Sequence, residues 1–226
     1  MADTALDLGR VLPIRARANV PRHHAAVRTT HWITALCFLA LLVSGLEIVV
    51  SHPRFYWGEN GNVLTPALFS LPIPSSRATV PTDYDYVLPD QNGWSRYLHF
   101  EAAWALVFTG AVYGIFGLFS GHFRKHLLPR PNAGAGTYNA SQRIVYLAVI
   151  FALVPLVIWT GLAMSPAFVA AMPWTVTVLG GRQSARTLHF FAAVSLLLFV
   201  LVHVVMVWRA GFRTRVMAML TGSLHA

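Results

Sequence analysis

The chain has 226 residues, of which 56% are hydrophobic and only 11% are charged. Soluble domains carry about 25% charged residues, so this chain has too few charges to cover a surface that faces water. The formal net charge is +9, but the cations collect at the ends of apolar segments. That distribution favours a protein embedded in a lipid bilayer and argues against one that binds nucleic acid.

Segments long enough to cross a bilayer occur four times. A transmembrane helix needs about 20 mainly apolar residues, and uncharged stretches run over 29–46, 102–123, 144–181 and 187–208. Because Pro166 and Pro173 interrupt the third stretch, it predicts one helix followed by a loop. We therefore predict an all-α integral membrane four-helix bundle, with spans at about 25–50, 94–120, 140–164 and 183–209.

The segments outside the spans predict the orientation. Residues 1–24 form a basic tail, and the first 28 residues lack the short apolar core of a cleavable signal peptide. Cations also lie between the second and third spans and in the C-terminal segment 210–226, whereas acidic residues lie between the first two spans. By the positive-inside rule, both termini and the second loop are expected to be cytoplasmic.

The loop between the first two spans, residues 51–93, is expected to lie outside the cytoplasm. It is long and rich in proline and aromatic residues, including Phe55, Tyr56 and Trp57. Long loops without regular structure are usually functional or disordered, and the aromatic residues favour an ordered loop that packs against another surface. We interpret it as a candidate docking element for a partner protein.

Four of the ten histidines lie in or at the ends of the spans: His31, His99, His189 and His203. An ionisable residue inside a bilayer is a functional candidate, although a histidine can also simply join two helices by a hydrogen bond. Fourteen residues separate His189 from His203, which corresponds to about 21 Å along one helix with both rings on nearly the same side. In the predicted orientation His31 and His203 share the cytoplasmic level, and His99 and His189 share the external level. Two pairs at two depths are what two bis-histidine haems stacked across a bilayer require.

Other residues near the four histidines suit the same interpretation. Arg28 and Arg186 each precede one of these histidines by three residues, so they lie on the same helical face and could pair with haem propionates. They could equally anchor the helices at the membrane surface. Small residues would let flat macrocycles approach the helix backbones, or would serve ordinary helix packing; they are Gly45, Gly110, Gly114 and Gly161. The single cysteine, Cys37, excludes a C-x-x-C-H haem attachment and a cysteine-ligated iron–sulfur cluster.

Several short elements occur in order between Arg28 and Arg209. They are Arg28-x-x-His31-Trp32, Leu98-His99-Phe100, Tyr138-Asn139-Ala140-Ser141-Gln142-Arg143 and the His189/His203 pair. Together they resemble the bacterial di-haem cytochrome b family, of the cytochrome b561 type, that serves nickel–iron hydrogenases and formate dehydrogenases as a membrane subunit. The segments 56–59 and 120–124 look like the narrower thiosulfate-reductase-type branch, which is often encoded beside a molybdopterin oxidoreductase.

The resemblance implies two haem b groups, one held by His99 with His189 and the other by His31 with His203. It also implies a quinone site near the cytoplasmic haem, at the element that contains Asn139 and Ser141. Ser141 stands where the family often has glycine. Both residues are also favoured helix N-caps, so they could simply cap the third span.

The resulting functional prediction is a membrane-embedded di-haem cytochrome b subunit in residues 25–209. It would transfer electrons between a periplasmic oxidoreductase, of molybdopterin or cytochrome c-like type, and a membrane quinone, in the bacterial inner membrane. One alternative is a stand-alone quinone-linked oxidase, such as a superoxide oxidase, which needs no partner protein. A less favoured alternative is a metal transporter lined by histidines, although transport sites usually lie at broken helices near the midplane.

Overall fold

Four long helical segments dominate the computed structural model, which describes residues 24–62, 64–73, 91–124 and 140–222. The segments long and apolar enough to cross a membrane are Ala25–Ser51, Gly93–Phe119, Ile144–Leu162 and Arg182–Arg209. The prediction of an all-α membrane protein with four spans is therefore confirmed. The N-terminal tail up to residue 23 and most of the second loop lie outside the described residues.

The first two spans are continuous helices, α1 over Ala25–Ser51 and α2 over Gln91–Phe119. The start of α1 is capped by His24, whose Nδ1 accepts a hydrogen bond from the backbone N–H of Ala26 at 3.2 Å. The two helices pack against each other along their length. They form the first of two helix pairs in the molecule.

The third span consists of α3 (Ala140–Ala148), a π-helical segment (Val149–Leu153) and α4 (Val154–Leu162). Pro155 explains the interruption, because proline has no backbone N–H and its ring clashes with the carbonyl four residues before it. The wider π turn avoids the clash: the N–H of Val154 bonds to the carbonyl of Val149, five residues earlier. The chain thus crosses the membrane without breaking the helix.

The fourth span is α7, Arg182–Arg209, which packs on α4 to form the second helix pair. Two short helices, α5 (Pro166–Ala171) and α6 (Trp174–Thr177), connect α4 to α7. The apolar core of the described residues lies at this connection, among Ala163, Val169, Val176, Leu179 and Ala185. Along the spans themselves, large apolar side chains such as Leu36, Leu198 and Leu201 point outward, as expected of helices that a bilayer covers.

The loop after α1 folds back onto the start of α7. A short antiparallel ladder joins β1 (Arg54–Phe55) to β2 (Phe69–Ser70), with Phe55 opposite Phe69. The Phe55 ring is 1% exposed and lies 4.5 Å from the ring of Phe190 on α7, between centroids. Aromatic packing therefore holds this part of the loop. Trp57, two residues after Phe55, is exposed instead.

An additional helix, α8, covers Phe212–Thr221 within the segment predicted only as a C-terminal tail. Gly211, with φ 94°, makes the turn between α7 and α8, a left-handed conformation that glycine adopts without steric cost. The helix returns to the first turns of α1, where Arg28 Nη1 donates to the carbonyl of Leu220 at 2.7 Å.

Candidate haem sites

One pair of histidines lies between α2 and α7, near the loop that contains β1 and β2. The rings of His99 and His189 have centroids 6.2 Å apart, with planes inclined at 62°. Each ring lies within the first three turns of its helix, since α2 begins at Gln91 and α7 at Arg182. We call His99 and His189 the outer pair.

A second pair lies between α1 and the far end of α7. The rings of His31 and His203 have centroids 6.4 Å apart, with planes inclined at 52°. Trp32 meets the His31 ring edge-on at 5.4 Å, and the Phe199 ring stacks beside His203 at 6.0 Å. We call His31 and His203 the inner pair.

Both ring separations match the spacing that two axial imidazoles on one metal would have. Metal–imidazole bonds are about 2 Å long and the ring centre lies about 1.1 Å behind the nitrogen, so opposed ligands have centroids about 6.3 Å apart. The observed 6.2 and 6.4 Å agree with this value. The rings are too far apart to bond each other directly, and the spacing fits an iron between them.

Each histidine of the outer pair has a hydroxyl group at hydrogen-bond distance from its Nδ1, and the sequence did not predict either of these groups. Ser44 Oγ on α1 lies 3.0 Å from Nδ1 of His99, and Thr160 Oγ1 on α4 lies 3.0 Å from Nδ1 of His189. Histidines that bind metals usually use their second nitrogen in this way. The only trace in the sequence is that each hydroxyl residue directly precedes a glycine, Gly45 or Gly161.

The two glycines lie against the rings of the outer pair. A Cβ on Gly161 would stand 3.3 Å from Cε1 of His189, and one on Gly45 would stand 3.6 Å from Cε1 of His99. The first distance is tight and the second is an ordinary contact. By contrast, a Cβ on Gly110 or Gly114 of α2 would meet no atom within 4 Å, so these positions leave open space beside the helix.

The two arginines predicted near the histidines both contact backbone carbonyls. Arg28 bonds to α8, and its Nε is buried and has no hydrogen-bond partner among the described residues. The Arg186 guanidinium donates to the carbonyls of His52 and Arg54, the latter at 3.0 Å, and its Cζ lies 5.0 Å from the Phe55 ring centroid. Arg186 anchors the loop; any contact with a propionate stays a prediction.

The two residues predicted for the quinone site lie outside what the structure describes. Asn139 precedes α3, and the side chain of Ser141 is not described. Among the other histidines, His122 lies near Tyr113 and Phe116, with ring centroids 6.1 and 5.9 Å away. Within the described ranges no three metal-binding side chains of His, Cys, Asp or Glu cluster together.

Comparison with known proteins decides the family. The family model described as "Prokaryotic cytochrome b561" matches residues 22–222. The chain belongs to this family. It is accordingly a membrane electron-transfer protein of the bacterial inner membrane that binds haem b.

Two curated relatives cover most of this cytochrome b561 chain. The first is the "Putative protein-methionine-sulfoxide reductase subunit YedZ1" of Azospira oryzae, 27% identical over 82% of this chain and 89% of its own length. The second is the "Formate dehydrogenase, cytochrome b556(fdo) subunit" of Escherichia coli, 27% identical over 84% of this chain and 80% of its own length. The suspected family resemblance is confirmed.

Proposed function

We propose that this cytochrome is a di-haem subunit that passes electrons between a periplasmic redox enzyme and a membrane quinone. The observation that carries the proposal is the presence of two histidine pairs, each with the ring spacing of an axial ligand pair, at opposite ends of α7. Family membership supplies haem b as the group.

The residues present fit that group at both levels. His99 and His189 would hold one haem through Nε2, since their Nδ1 atoms face Ser44 and Thr160. His31 and His203 would hold the other, with Arg28 as a candidate partner for a propionate because its buried Nε has no hydrogen-bond partner among the described residues. When bound, haem iron supplies one-electron exchange between its ferric and ferrous states.

Two sites suit the thickness of the membrane. The outer and inner ligands on α7, His189 and His203, are fourteen residues apart, or about 21 Å along the helix. The apolar layer is about 30 Å thick, and electron tunnelling weakens steeply with distance. Because α7 carries one histidine of each pair, the two pairs divide that distance into shorter steps, which one pair would not do.

The orientation follows from the distribution of charge. With both termini and the second loop in the cytoplasm, the outer pair lies at the periplasmic side and the inner pair at the cytoplasmic side. The proposed quinone site at Asn139 and Ser141, next to the third span, is then on the cytoplasmic side as well. Electrons that arrive from the periplasm would reach quinone after passing both ligand pairs.

The loop that carries β1 and β2 is the proposed docking element for the periplasmic partner. It packs on α7 beside the outer pair, and it presents exposed apolar side chains such as Trp57 and Leu64. Both curated relatives are named as subunits, one of a formate dehydrogenase and one of a putative methionine-sulfoxide reductase. By analogy we propose a redox enzyme partner here, of molybdopterin or cytochrome c-like type.

Haem content tests the ligand assignment. The full chain, purified in mild detergent, is expected to show reduced-minus-oxidised b-type bands with two haems per chain. His99→Ala and His189→Ala should remove the same haem, and His31→Ala and His203→Ala should remove the other, whereas the control His122→Ala should retain both. A colourless protein, or loss of different haems from the two members of one pair, would contradict the proposal.

Quinone reactivity and partner binding need separate measurements. In proteoliposomes, quinol should reduce both haems of the wild-type protein, but it should fail to reduce the outer haem of the His203→Ala variant. The partner is tested by isolating the complex from native membranes and assaying for molybdopterin or c-type haem. A chain that purifies alone and is reduced by superoxide would support the oxidase alternative instead.

A further inference from the structure

The outer histidine pair is supported by two nearly identical local arrangements on different helix pairs. Ser44-Gly45 of α1 faces His99 of α2, and Thr160-Gly161 of α4 faces His189 of α7. In both cases the hydroxyl oxygen lies 3.0 Å from Nδ1 of the ring. The repetition on opposite sides of one site indicates a common task for the two hydroxyl groups.

The hydrogen-bonding directions can be deduced, because each hydroxyl has only one proton. Ser44 Oγ lies 2.7 Å from the carbonyl oxygen of Ala40, and Thr160 Oγ1 lies 2.8 Å from that of Leu156. A carbonyl can only accept, so the hydroxyl proton is used there. The hydroxyl oxygen then has lone pairs left for the ring, and it accepts a hydrogen bond from an Nδ1–H group. At His189 the backbone carbonyl of Val157 is a second acceptor for the ring.

We propose that Ser44 and Thr160 are positioning residues of the outer site that hold both axial histidines as Nδ1–H tautomers and thereby lower the reduction potential of the haem bound there. The proposal rests on the function proposed above. Keeping the proton on Nδ1 leaves Nε2 with its lone pair toward the iron. A hydrogen bond donated by the far nitrogen makes the imidazole a stronger electron donor, which favours the ferric state.

The inner pair differs in its surroundings. In the part of the chain that is described, the ring of His31 contacts Trp32 and the ring of His203 contacts Phe199. The hydroxyl–imidazole bonds described above belong to the outer pair, so we assign the electron-donating effect to the outer site. An outer site of lowered potential and an inner site without that shift would favour electron flow from the outer haem to the inner one.

The test uses Ser44→Ala, Thr160→Val and the double variant, each in the full chain with haem bound. Thr109→Val is the matched control, because the Thr109 hydroxyl makes the same kind of bond to its own helix, at 2.7 Å to Ala105, on a buried face of α2. Haem-to-protein ratio, ferric low-spin spectra and separate potentiometric titration of the two haems are measured. Thr160→Ser restores the hydroxyl and serves as the conservative variant.

The double variant is expected to keep a low-spin outer haem. The midpoint reduction potential of that haem should be higher than in the wild type. At the wild-type midpoint, the ratio of reduced to oxidised outer haem should rise, and each tenfold rise corresponds to about 59 mV for one electron. Thr160→Ser should titrate as wild type, and the inner haem should not move. An unchanged outer potential in a double variant with both haems bound would overturn the inference. A wild-type protein without haem would instead refute the proposed function, so the two failures are distinct.

Should the double variant lose the outer haem, the single variants decide the question. Loss of outer haem or a raised outer potential in either single variant would support the positioning role. Thr160→Ser should then behave as the wild type, and Thr109→Val should show neither change. Equal behaviour of Thr160→Ser and Thr160→Val would overturn it, because serine keeps the hydroxyl and loses only the methyl group, whereas valine keeps the methyl group and loses the hydroxyl.

Discussion

The indole Nε1 of Trp32 donates a hydrogen bond of 3.2 Å to the carbonyl oxygen of Met219. The last carbonyls of a helix have no partner within it, so Trp32 caps α8 from the first turns of α1. Arg28, one turn earlier, donates in the same way to Leu220 at 2.7 Å. The first turns of α1, which carry His31, are thus hydrogen-bonded to residues almost two hundred positions away.

Removing the indole donor should loosen α8. Trp32→Phe retains an aromatic ring beside His31 but cannot donate, and the lost hydrogen bond should cost about 1 kcal/mol. Amide hydrogen exchange at 217–222 should become faster. Trp208→Phe is the control, since Trp208 is 72% exposed; equal exchange rates in the two variants would show that the Trp32 bond does not hold α8.

The Arg186 side chain should determine the stability of the first loop. Arg186→Ala leaves the carbonyls of His52 and Arg54 without this donor and exposes one face of the Phe55 ring. Hydrogen bonds to charged groups contribute about 1.5–3 kcal/mol. We expect a lower melting temperature in detergent and faster tryptic cleavage after Arg54. Arg186→Lys should rescue only in part, because an ammonium group lacks the planar fork of donors.

Glu59 should matter more as a helix cap than as a member of an ion pair. Its Oε2 accepts from the backbone N–H of Arg182 at 3.0 Å, at the start of α7, and its Oε1 lies 3.3 Å from Arg182 Nε. Both side chains are about half exposed. Glu59→Ala removes this acceptor but leaves the bonds from the N–H groups of Gln183 and Ser184 to the Gly58 carbonyl, and its cost should be about 0.5–2 kcal/mol. Arg182→Ala keeps the backbone cap and should cost less than about 1 kcal/mol. Chemical unfolding of the two variants compares these contributions; a larger loss from Arg182→Ala would contradict the assignment.

The two glycines at the outer pair should respond differently to alanine. Alanine in place of glycine within a helix is favoured by about 0.5–1 kcal/mol at either position. At Gly161, however, the new methyl would press on His189 at 3.3 Å, whereas at Gly45 it would make an ordinary contact with His99 at 3.6 Å. Gly161→Ala should therefore shift the spectrum or occupancy of the outer haem, and Gly45→Ala should leave both unchanged. The opposite order would mean that the haem itself, rather than the histidine, limits the space at Gly45.

The distribution of charge along the chain was sufficient to predict the four spans. A bilayer requires about 20 apolar residues per helix, and that requirement is local, so it appears directly in the sequence. The spacing of His189 and His203 is similarly local, since helix rise and rotation fix their relative depth and direction. The aromatic run at 55–57 predicted an ordered loop, but not that Phe55 would be buried while Trp57 stays exposed.

Only the tertiary structure decided which side chains support the histidines. Ser44 lies 55 residues from His99 along the chain and Thr160 lies 29 residues from His189, and serine and threonine are common on helices for many reasons. The return of α8 to Trp32 and the contacts of Arg186 with the loop are likewise long-range. Membrane insertion depends on the composition of each segment by itself, and so the sequence alone determines it; hydrogen bonds between helices depend on how those segments pack, which only the folded chain specifies.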